Sequence, residues 1–316
     1  AGAASALAAS RVAACGSNAI GEVPAARWDV YAQPALPEGV ASRVRHGGFV
    51  RGTQLADNAA FGVSPAEAVA MDPCQRLLLE RGYAALHACA LDRAALGGSL
   101  TGVFLGFAGS EFAAVLAASP AGGSVYAATG ASASIAAGRL PYALGLHGPC
   151  VSYDTACSAA LAASHAGLRA LQLAECSVGL VMGVTLMLSP GVGTSFAIAG
   201  MTSALGRSHT FDARADGYAR GEACGGLAPR RDDGRGVLAV LGSAVRQDGR
   251  SASLTAPSGP AQQGLLGAAL GNAGVEADAL ALSELHGTRG GVTHGAMHLV
   301  RTPPTVPRQL TSASFC

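Results

Sequence analysis

The sequence predicts an α/β fold, in which buried strands alternate with helices. Residues 178–184 form an unbroken apolar run, which is typical of a parallel strand covered on both faces. Asp72-Pro73 predicts a helix start, because Asp is a favoured N-cap and proline fits the first helical position. Strand patterns at 101–107 and 237–245 are likewise separated by helix patterns, which indicates a sheet layered between helices.

The helices of the first half follow from capping and periodicity. The helix that begins at Pro73 turns three leucines inward: Leu78, Leu79 and Leu86. A second helix is predicted over residues 131–145, ending at Gly145, since glycine is favoured just beyond a helix end. Pro141 lies inside it and is expected to kink it, because proline lacks the backbone donor.

A turn at Gly148-Pro149 leads into a short strand, and a helix pattern runs from Cys157 to about Glu175. Residues at steps of three and four predict one buried face on this helix: Cys157, Leu161, Ser164, Leu168 and Leu171. In the second half, a helix is predicted to end near Ala273. A strand over residues 279–285 is then predicted to end at His286.

Composition excludes several classes of protein. Half of the 316 residues are hydrophobic and 13% are charged, which is typical of a core-rich globular chain. The net charge of +1 gives no electrostatic reason to expect nucleic acid as a partner. No charged residue lies between Glu175 and Arg207, but glycines and a Ser-Pro-Gly turn divide this stretch into pieces too short to span a membrane.

The eight cysteines form no C-x-x-C pair and do not cluster with histidines. Neither a metal site nor a disulfide framework is therefore predicted. Residues 1–14 lack the basic start and strong apolar run of a secretory signal. An intracellular location, in the cytoplasm or a plastid, is favoured over secretion.

Cys157 is the candidate nucleophile. A thiol between a strand and a helix N-terminus lies near unpaired backbone N–H groups, which favour the thiolate. The small neighbours Ala156, Ser158 and Ala159 leave room for a substrate. Spacing alone favours the ordinary alternative, because most free cysteines are buried and inert.

Several motifs favour the nucleophilic interpretation of Cys157. Residues 154–161, Asp-Thr-Ala-Cys-Ser-Ala-Ala-Leu, resemble the nucleophile motif of β-ketoacyl synthases, the condensing domains of polyketide and fatty acid synthases. Further segments resemble the same family in the same order: 20–24, 27–29, 71–80, 211–222 and 247–262. The loop at 211–222 is rich in charge and glycine but fits neither a phosphate loop nor a calcium loop. The resemblance implies a structural loop under the active site.

The resemblance implies a thiolase-like fold, layered α-β-α-β-α, with the first half nearly complete and the second half truncated. Residues 1–234 would form the N-terminal half with the nucleophile, and residues 235–298 part of the C-terminal half. The tail, residues 299–316, is predicted to be disordered or non-homologous.

The resemblance also implies the chemistry. Cys157 would accept an acyl group from an acyl carrier protein, and decarboxylation of a malonyl-type extender would then drive the condensation. His286 falls on a catalytic histidine of the family, and Thr288 on a threonine near the phosphopantetheine arm. That arm is a substrate carrier, and no cofactor or metal is expected on the chain itself. The family further implies a homodimer.

Three hypotheses remain open. The chain is a condensing synthase domain, a non-catalytic dimerisation partner of that type, or another thiolase-fold condensing enzyme. After Thr288 the family's second catalytic histidine and its C-terminal glycine–phenylalanine loop have no counterparts, and His294 and His298 lack the flanking pattern. We therefore expect acylation of Cys157, but not full condensation by this chain alone.

Overall fold

A computed structural model describes residues 11–12, 14–31, 36–231, 239–253, 256–280, 284–286, 296–297 and 309–315. Its strands are β1 (Ile20–Glu22), β2 (His46–Gly48), β3 (Thr101–Gly106), β4 (Cys150–Tyr153), β5 (Val178–Thr185), β6 (Ala223–Leu227), β7 (Ala239–Arg246), β8 (Glu284–Leu285), β9 (Ala296–Met297) and β10 (Gln309–Phe315). The main sheet has the order β4-β3-β5-β6. Its first three strands are parallel, and β6 is antiparallel to β5.

The α-helices are α1 (Glu38–Ala41), α2 (Pro65–Ala70), α3 (Pro73–Ala88), α4 (Arg93–Leu96), α5 (Phe112–Ala117), α6 (Ala127–Gly130), α7 (Ala133–Leu144), α8 (Ala159–Gln172), α9 (Pro190–Ile198) and α10 (Gly259–Ala273). Short 3₁₀ turns lie between several of them, including Ala156–Ser158 just before α8. Within the described parts of the chain, no helix is long and apolar enough to cross a membrane.

The predicted caps are confirmed. Asp72 caps α3 by accepting the Cys74 N–H at 2.7 Å, with Pro73 at the first helical position. The three predicted leucines of α3 are buried. Helix α7 ends at Gly145, whose φ of 68° lies in the left-handed region that favours glycine. Pro141 lies inside α7, and the helix continues past it to Leu144.

The main sheet is covered on both faces because successive side chains of β3 point in opposite directions. Val103 and Leu105 pack in one apolar cluster with leucines of α3 and α7. Phe104 packs on the other face, in a second cluster with Ala163 of α8. All six residues of β3 are buried, as expected for the central strand of a two-sided sheet.

A second sheet lies beyond α8. Strand β7 pairs in parallel with β10, and its side chains also alternate between two helices. The Ser243 hydroxyl is 2.8 Å from His165 Nδ1 of α8, whereas Ala244 packs with Leu265 of α10. The order is therefore α3/α7, main sheet, α8, second sheet, α10. This is the α-β-α-β-α layering that the sequence predicts.

The predicted buried face of α8 is wrong in detail. The helix begins at Ala159 rather than Cys157, and Cys157 is exposed. Its buried residues are mostly alanine and glycine: Ala159, Ala162, Ala163, Gly167, Ala170 and Leu171. A helix held between two sheets packs closely only where its contact residues are small, so Leu161 and Leu168 are pushed to half-buried positions.

The predicted strand over residues 279–285 begins differently, because Ala279 belongs to a 3₁₀ turn, Ala277–Ala279. Residues 281–283 lie outside the described residues, and Glu284–Leu285 form a strand just before His286. In the tail, residues 309–315 form β10. The division of the chain near residue 234 and the nature of the tail stay predictions.

Candidate active site

Cys157 lies in a tight turn between β4 and α8. Ala156, just before it, has φ = 51°, a left-handed conformation that costs free energy for a residue with a side chain. The turn is held by its own polar groups. The Ala156 N–H donates to Asp154 Oδ1 at 3.1 Å, and the Ser158 hydroxyl donates to the Thr155 carbonyl at 2.8 Å. The strained turn presents the thiol outward, and Cys157 is exposed.

Two glycines allow α8 to begin this close to the sheet. A Cβ on Gly106 of β3 would stand 2.5 Å from the Ala160 Cα, and one on Gly183 of β5 would stand 3.0 Å from the Ala160 side chain. Any larger residue would push the first turn of α8 away. The backbone of β3 and β5 therefore sets the distance between the sheet and the turn that holds Cys157.

The pKa of the Tyr218 phenol depends on the charge of Cys157. Burial raises the pKa of this phenol, the Arg220 guanidinium opposes that rise, and a negative charge on Cys157 adds to it. Tyr218 and Arg220 therefore act electrostatically on the same side of the fold as Cys157.

Glu111 is a buried carboxylate that links this region to two other segments. Its side chain is only 6% exposed and pairs with Arg220 at 2.8 Å. Its second carboxylate oxygen accepts the backbone N–H groups of Leu188 and Ser189, each at 2.8 Å. No sequence motif indicates a role for Glu111. Its position just after β3, at the carboxyl edge of a parallel sheet, is the signal that would have indicated one.

The charged loop at 211–222 ties the N-terminal segment to the sheet. The Glu222 side chain is fully buried and pairs with Arg27 at 2.8 Å. Its oxygens also accept the N–H groups of Val50 and Met187. These are the contacts of a structural loop. Across the residues that the structure describes, no group of three or more His, Cys, Asp or Glu side chains could hold a metal ion.

A cavity of about 20 Å³ lies beside this loop. Residues that line it include Trp28, Phe49, Met187, Tyr218 and Arg220. Its volume is that of roughly one water molecule, too small for an acyl chain. Cys157 is not among the residues that line it.

His286 follows β8, at the carboxyl end of a strand as predicted, and is exposed. Strand β8 pairs with β9, which contacts β10, and β10 packs on α8. A chain of contacts through β8, β9, β10 and α8 therefore links His286 to the turn that holds Cys157. Thr288 lies outside the described residues, and the roles of all three residues remain predictions.

Comparison with known proteins identifies the family. Residues 9–233 match the model of the β-ketoacyl synthase N-terminal domain, and residues 237–293 match the model of the C-terminal domain. The chain belongs to the β-ketoacyl synthase family. The match to residue 293 extends the resemblance past Thr288, where the sequence motifs ended.

The relatives are modular polyketide synthases, so the chain is a ketosynthase sequence of that type. It is 44% identical over 282 residues to polyketide synthase GfsB of Streptomyces halstedii, covering 86% of this chain and 5% of that protein. It is 44% identical over 280 residues to erythronolide synthase EryA3 of Saccharopolyspora erythraea, covering 86% of this chain and 8% of that protein.

Solved structures agree on the fold. The ketosynthase from module 6 of the bacillaene synthase of Bacillus subtilis 168, solved as a cysteine-to-serine mutant, superposes with a TM-score of 0.82 at 31% identity. The oxazolomycin ketosynthase domain OzmH KS7 of Streptomyces albus JA3453 gives 0.80 at 29% identity. The thiolase-like fold is therefore confirmed. The matches cover 89% and 90% of this chain but 48% and 50% of those two chains, about half their length.

Proposed function

We propose that this chain carries the acyl-transfer site of a ketosynthase, with Cys157 as the nucleophile. The observation that supports it most is the exposed thiol on a left-handed turn, at the carboxyl edge of a parallel sheet. A turn that strains its backbone to present one side chain is typical of functional sites. Helix α8 begins two residues later, at Ala159.

In the first half-reaction, the Cys157 thiolate attacks the carbonyl carbon of an acyl thioester. A bond forms between Sγ and that carbon, and the carbon–sulfur bond to the donor breaks. The donor leaves as a thiol once it takes up a proton. The acyl group is then held on Cys157 as a new thioester, which replaces the thioester bond to the donor.

In the second half-reaction, a malonyl-type extender loses carbon dioxide. The electron pair of the broken carbon–carbon bond forms an enolate on the thioester. His286 would donate a hydrogen bond to that enolate oxygen and stabilise its charge. The enolate carbon attacks the acyl group on Cys157, expels the thiolate and leaves a β-ketoacyl thioester.

The partner that fits this chemistry is an acyl carrier protein with a phosphopantetheine arm, near which Thr288 would lie. A second copy of the chain fits the edge of the main sheet. Strand β4 pairs with β3 alone among the described strands, and Val151 on it is 40% exposed. Tyr142 on the adjacent α7 is 92% exposed. An open edge with apolar neighbours favours strand pairing between copies.

The same edge favours a second candidate function, a non-catalytic ketosynthase-like dimerisation partner. The two functions differ at Cys157. We would incubate the chain with an acyl-N-acetylcysteamine thioester and locate the added mass by peptide mapping. Acylation confined to Cys157, released by hydroxylamine and lost in Cys157→Ala, supports acyl transfer. If the folded chain is not acylated, the non-catalytic dimerisation partner is the function that remains.

A separate assay tests the condensing step. Malonyl carrier protein is added to the acylated chain, and carbon dioxide and the β-ketoacyl product are measured. We expect decarboxylation to be slow, because the chain lacks a counterpart of the family's second histidine. His286→Ala should reduce what remains.

A further inference from the structure

Glu111 is a buried carboxylate whose hydrogen bonds reach two other segments. One oxygen accepts from the guanidinium of Arg220, 109 residues later in the chain. The other accepts two backbone N–H groups from the loop after β5, at Leu188 and Ser189. Buried carboxylates are retained only where such partners compensate for the lost hydration. Here the partners all belong to other parts of the fold.

The topology places this carboxylate beside the nucleophile. Parallel strands β4, β3 and β5 are neighbours, so the loops that follow them meet at one edge of the sheet. Cys157 follows β4, Glu111 follows β3, and Ser189 follows β5. The Phe107 N–H donates to the Tyr153 carbonyl at 3.0 Å, which keeps the loops after β3 and β4 together at their start.

Arg220 also contacts α9, so it links Glu111 to that helix. Its guanidinium lies over the Phe196 ring of α9, 5.4 Å from the ring centroid, while its other side pairs with Glu111. The cation is thus held between a carboxylate and an aromatic face. Tyr218, two residues earlier, is the side chain on which both Arg220 and Cys157 act.

We propose that Glu111 is a positioning residue for acyl transfer: it holds the loop at 186–189 and Arg220 as one wall of the acyl site beside Cys157. This inference rests on the proposed function and adds to it a residue outside the family motifs discussed above. Glu111 touches no reacting atom. It acts by joining the loop after β5 to Arg220 at this edge of the sheet.

The test is Glu111→Gln, which keeps the size of the side chain but removes its charge and one acceptor. We expect acylation of Cys157 by the acyl-N-acetylcysteamine thioester to slow about tenfold or more, since small displacements in a site cost large factors in rate. Alkylation of Cys157 by iodoacetamide should change less than about threefold, because so small a reagent needs no acyl-binding wall.

Glu67→Gln is the matched control. Glu67 also forms a partly buried pair with an arginine, Arg139, but that pair joins α2 to α7 on the opposite side of the main sheet from α8. We expect Glu67→Gln to acylate at the wild-type rate within about twofold. A second comparison uses Arg220→Gln and the double variant with Glu111→Gln. If the two residues act together, the double variant is no slower than the slower single variant.

Three results would overturn the proposal. The first is acylation of Glu111→Gln at the Glu67→Gln rate. The second is an equal loss with both reagents, which indicates general disorder. The third is full additivity in the double variant. Failure of the proposed function looks different, because the wild-type chain itself would then not be acylated.

Discussion

Gly106→Ala is the substitution that most directly perturbs the placement of Cys157, the proposed nucleophile. The added Cβ would lie 2.5 Å from the Ala160 Cα and 2.6 Å from the Ala159 carbonyl carbon. These are backbone atoms of the first turn of α8, so no side chain can rotate to relieve the contact. Ordinary contact begins near 3.4 Å, and the helix start must therefore move by about 1 Å.

The expected cost follows from that displacement. Overpacking of a close helix–sheet contact costs about 1–3 kcal/mol in the free energy of unfolding. The same movement carries Cys157 away from its position at the carboxyl edge of the sheet. A misplacement of about 1 Å slows a positioned reaction about a hundredfold. Stability and acyl transfer should thus fall together.

Gly138→Ala is the matched control, because it makes the same chemical change inside α7. A Cβ there meets nothing within 4 Å, and alanine is preferred over glycine in a helix by about 0.5–1 kcal/mol. Urea unfolding, followed by circular dichroism, should show lower stability for Gly106→Ala and higher stability for Gly138→Ala. If Gly106→Ala unfolds and is acylated like the wild type, the described packing of α8 on the sheet is wrong.

Three further substitutions test other parts of the structure. Burial and Arg169 lower the pKa of His165 below its ordinary value of 6.5. The unfolded chain then binds protons more readily, and stability is lost as the pH falls below about 6.5. His165→Gln should flatten that loss in urea midpoints measured from about pH 7.5 to pH 5, and an unchanged slope would count against this origin. Glu222→Gln removes the charge opposite the buried Arg27 and should cost about 3–5 kcal/mol in urea unfolding; a midpoint equal to the wild type would contradict the described pair. Leu86→Ala empties a fully buried position in α3 and should cost about 2–5 kcal/mol, seen as a lower thermal midpoint.

The sequence predicted the features that are determined locally. Asp72 and Pro73 define the start of α3, Gly145 ends α7, and the apolar run at 178–184 becomes the buried strand β5. In each case the determining residues lie within a few positions of the element they control. The alternation of strands and helices predicted the α/β class, whereas the layering was implied by the resemblance to β-ketoacyl synthases.

The buried face of α8 could not be predicted in the same way. Hydrophobic periodicity selects large residues such as Leu161 and Leu168, but the helix lies between two sheets and makes its closest contacts through Ala163 and Gly167. Close approach depends on Gly106 and Gly183, which belong to strands far away in the sequence. Only the assembled fold shows which face becomes buried.

The pair Glu111–Arg220 was missed for a related reason. The two residues are 109 positions apart, so no local pattern connects them. Cys157 was found from its local motif, whereas its surroundings come from segments brought together by the sheet topology. The position of Cys157 between a strand and a helix could be predicted from the sequence, whereas the contacts around it could not.

The rate of alkylation of Cys157 by iodoacetamide tests the central claim most directly. Cys15 and Cys150 are also exposed and serve as internal references in the same chain. Desolvation by neighbouring atoms raises the pKa of the Cys150 thiol, which makes that cysteine a slow reference. Peptide mapping over time at about pH 7 should show Cys157 reacting about tenfold faster than both, as expected of the acyl-transfer nucleophile. Equal rates at the three positions would contradict its role as the nucleophile.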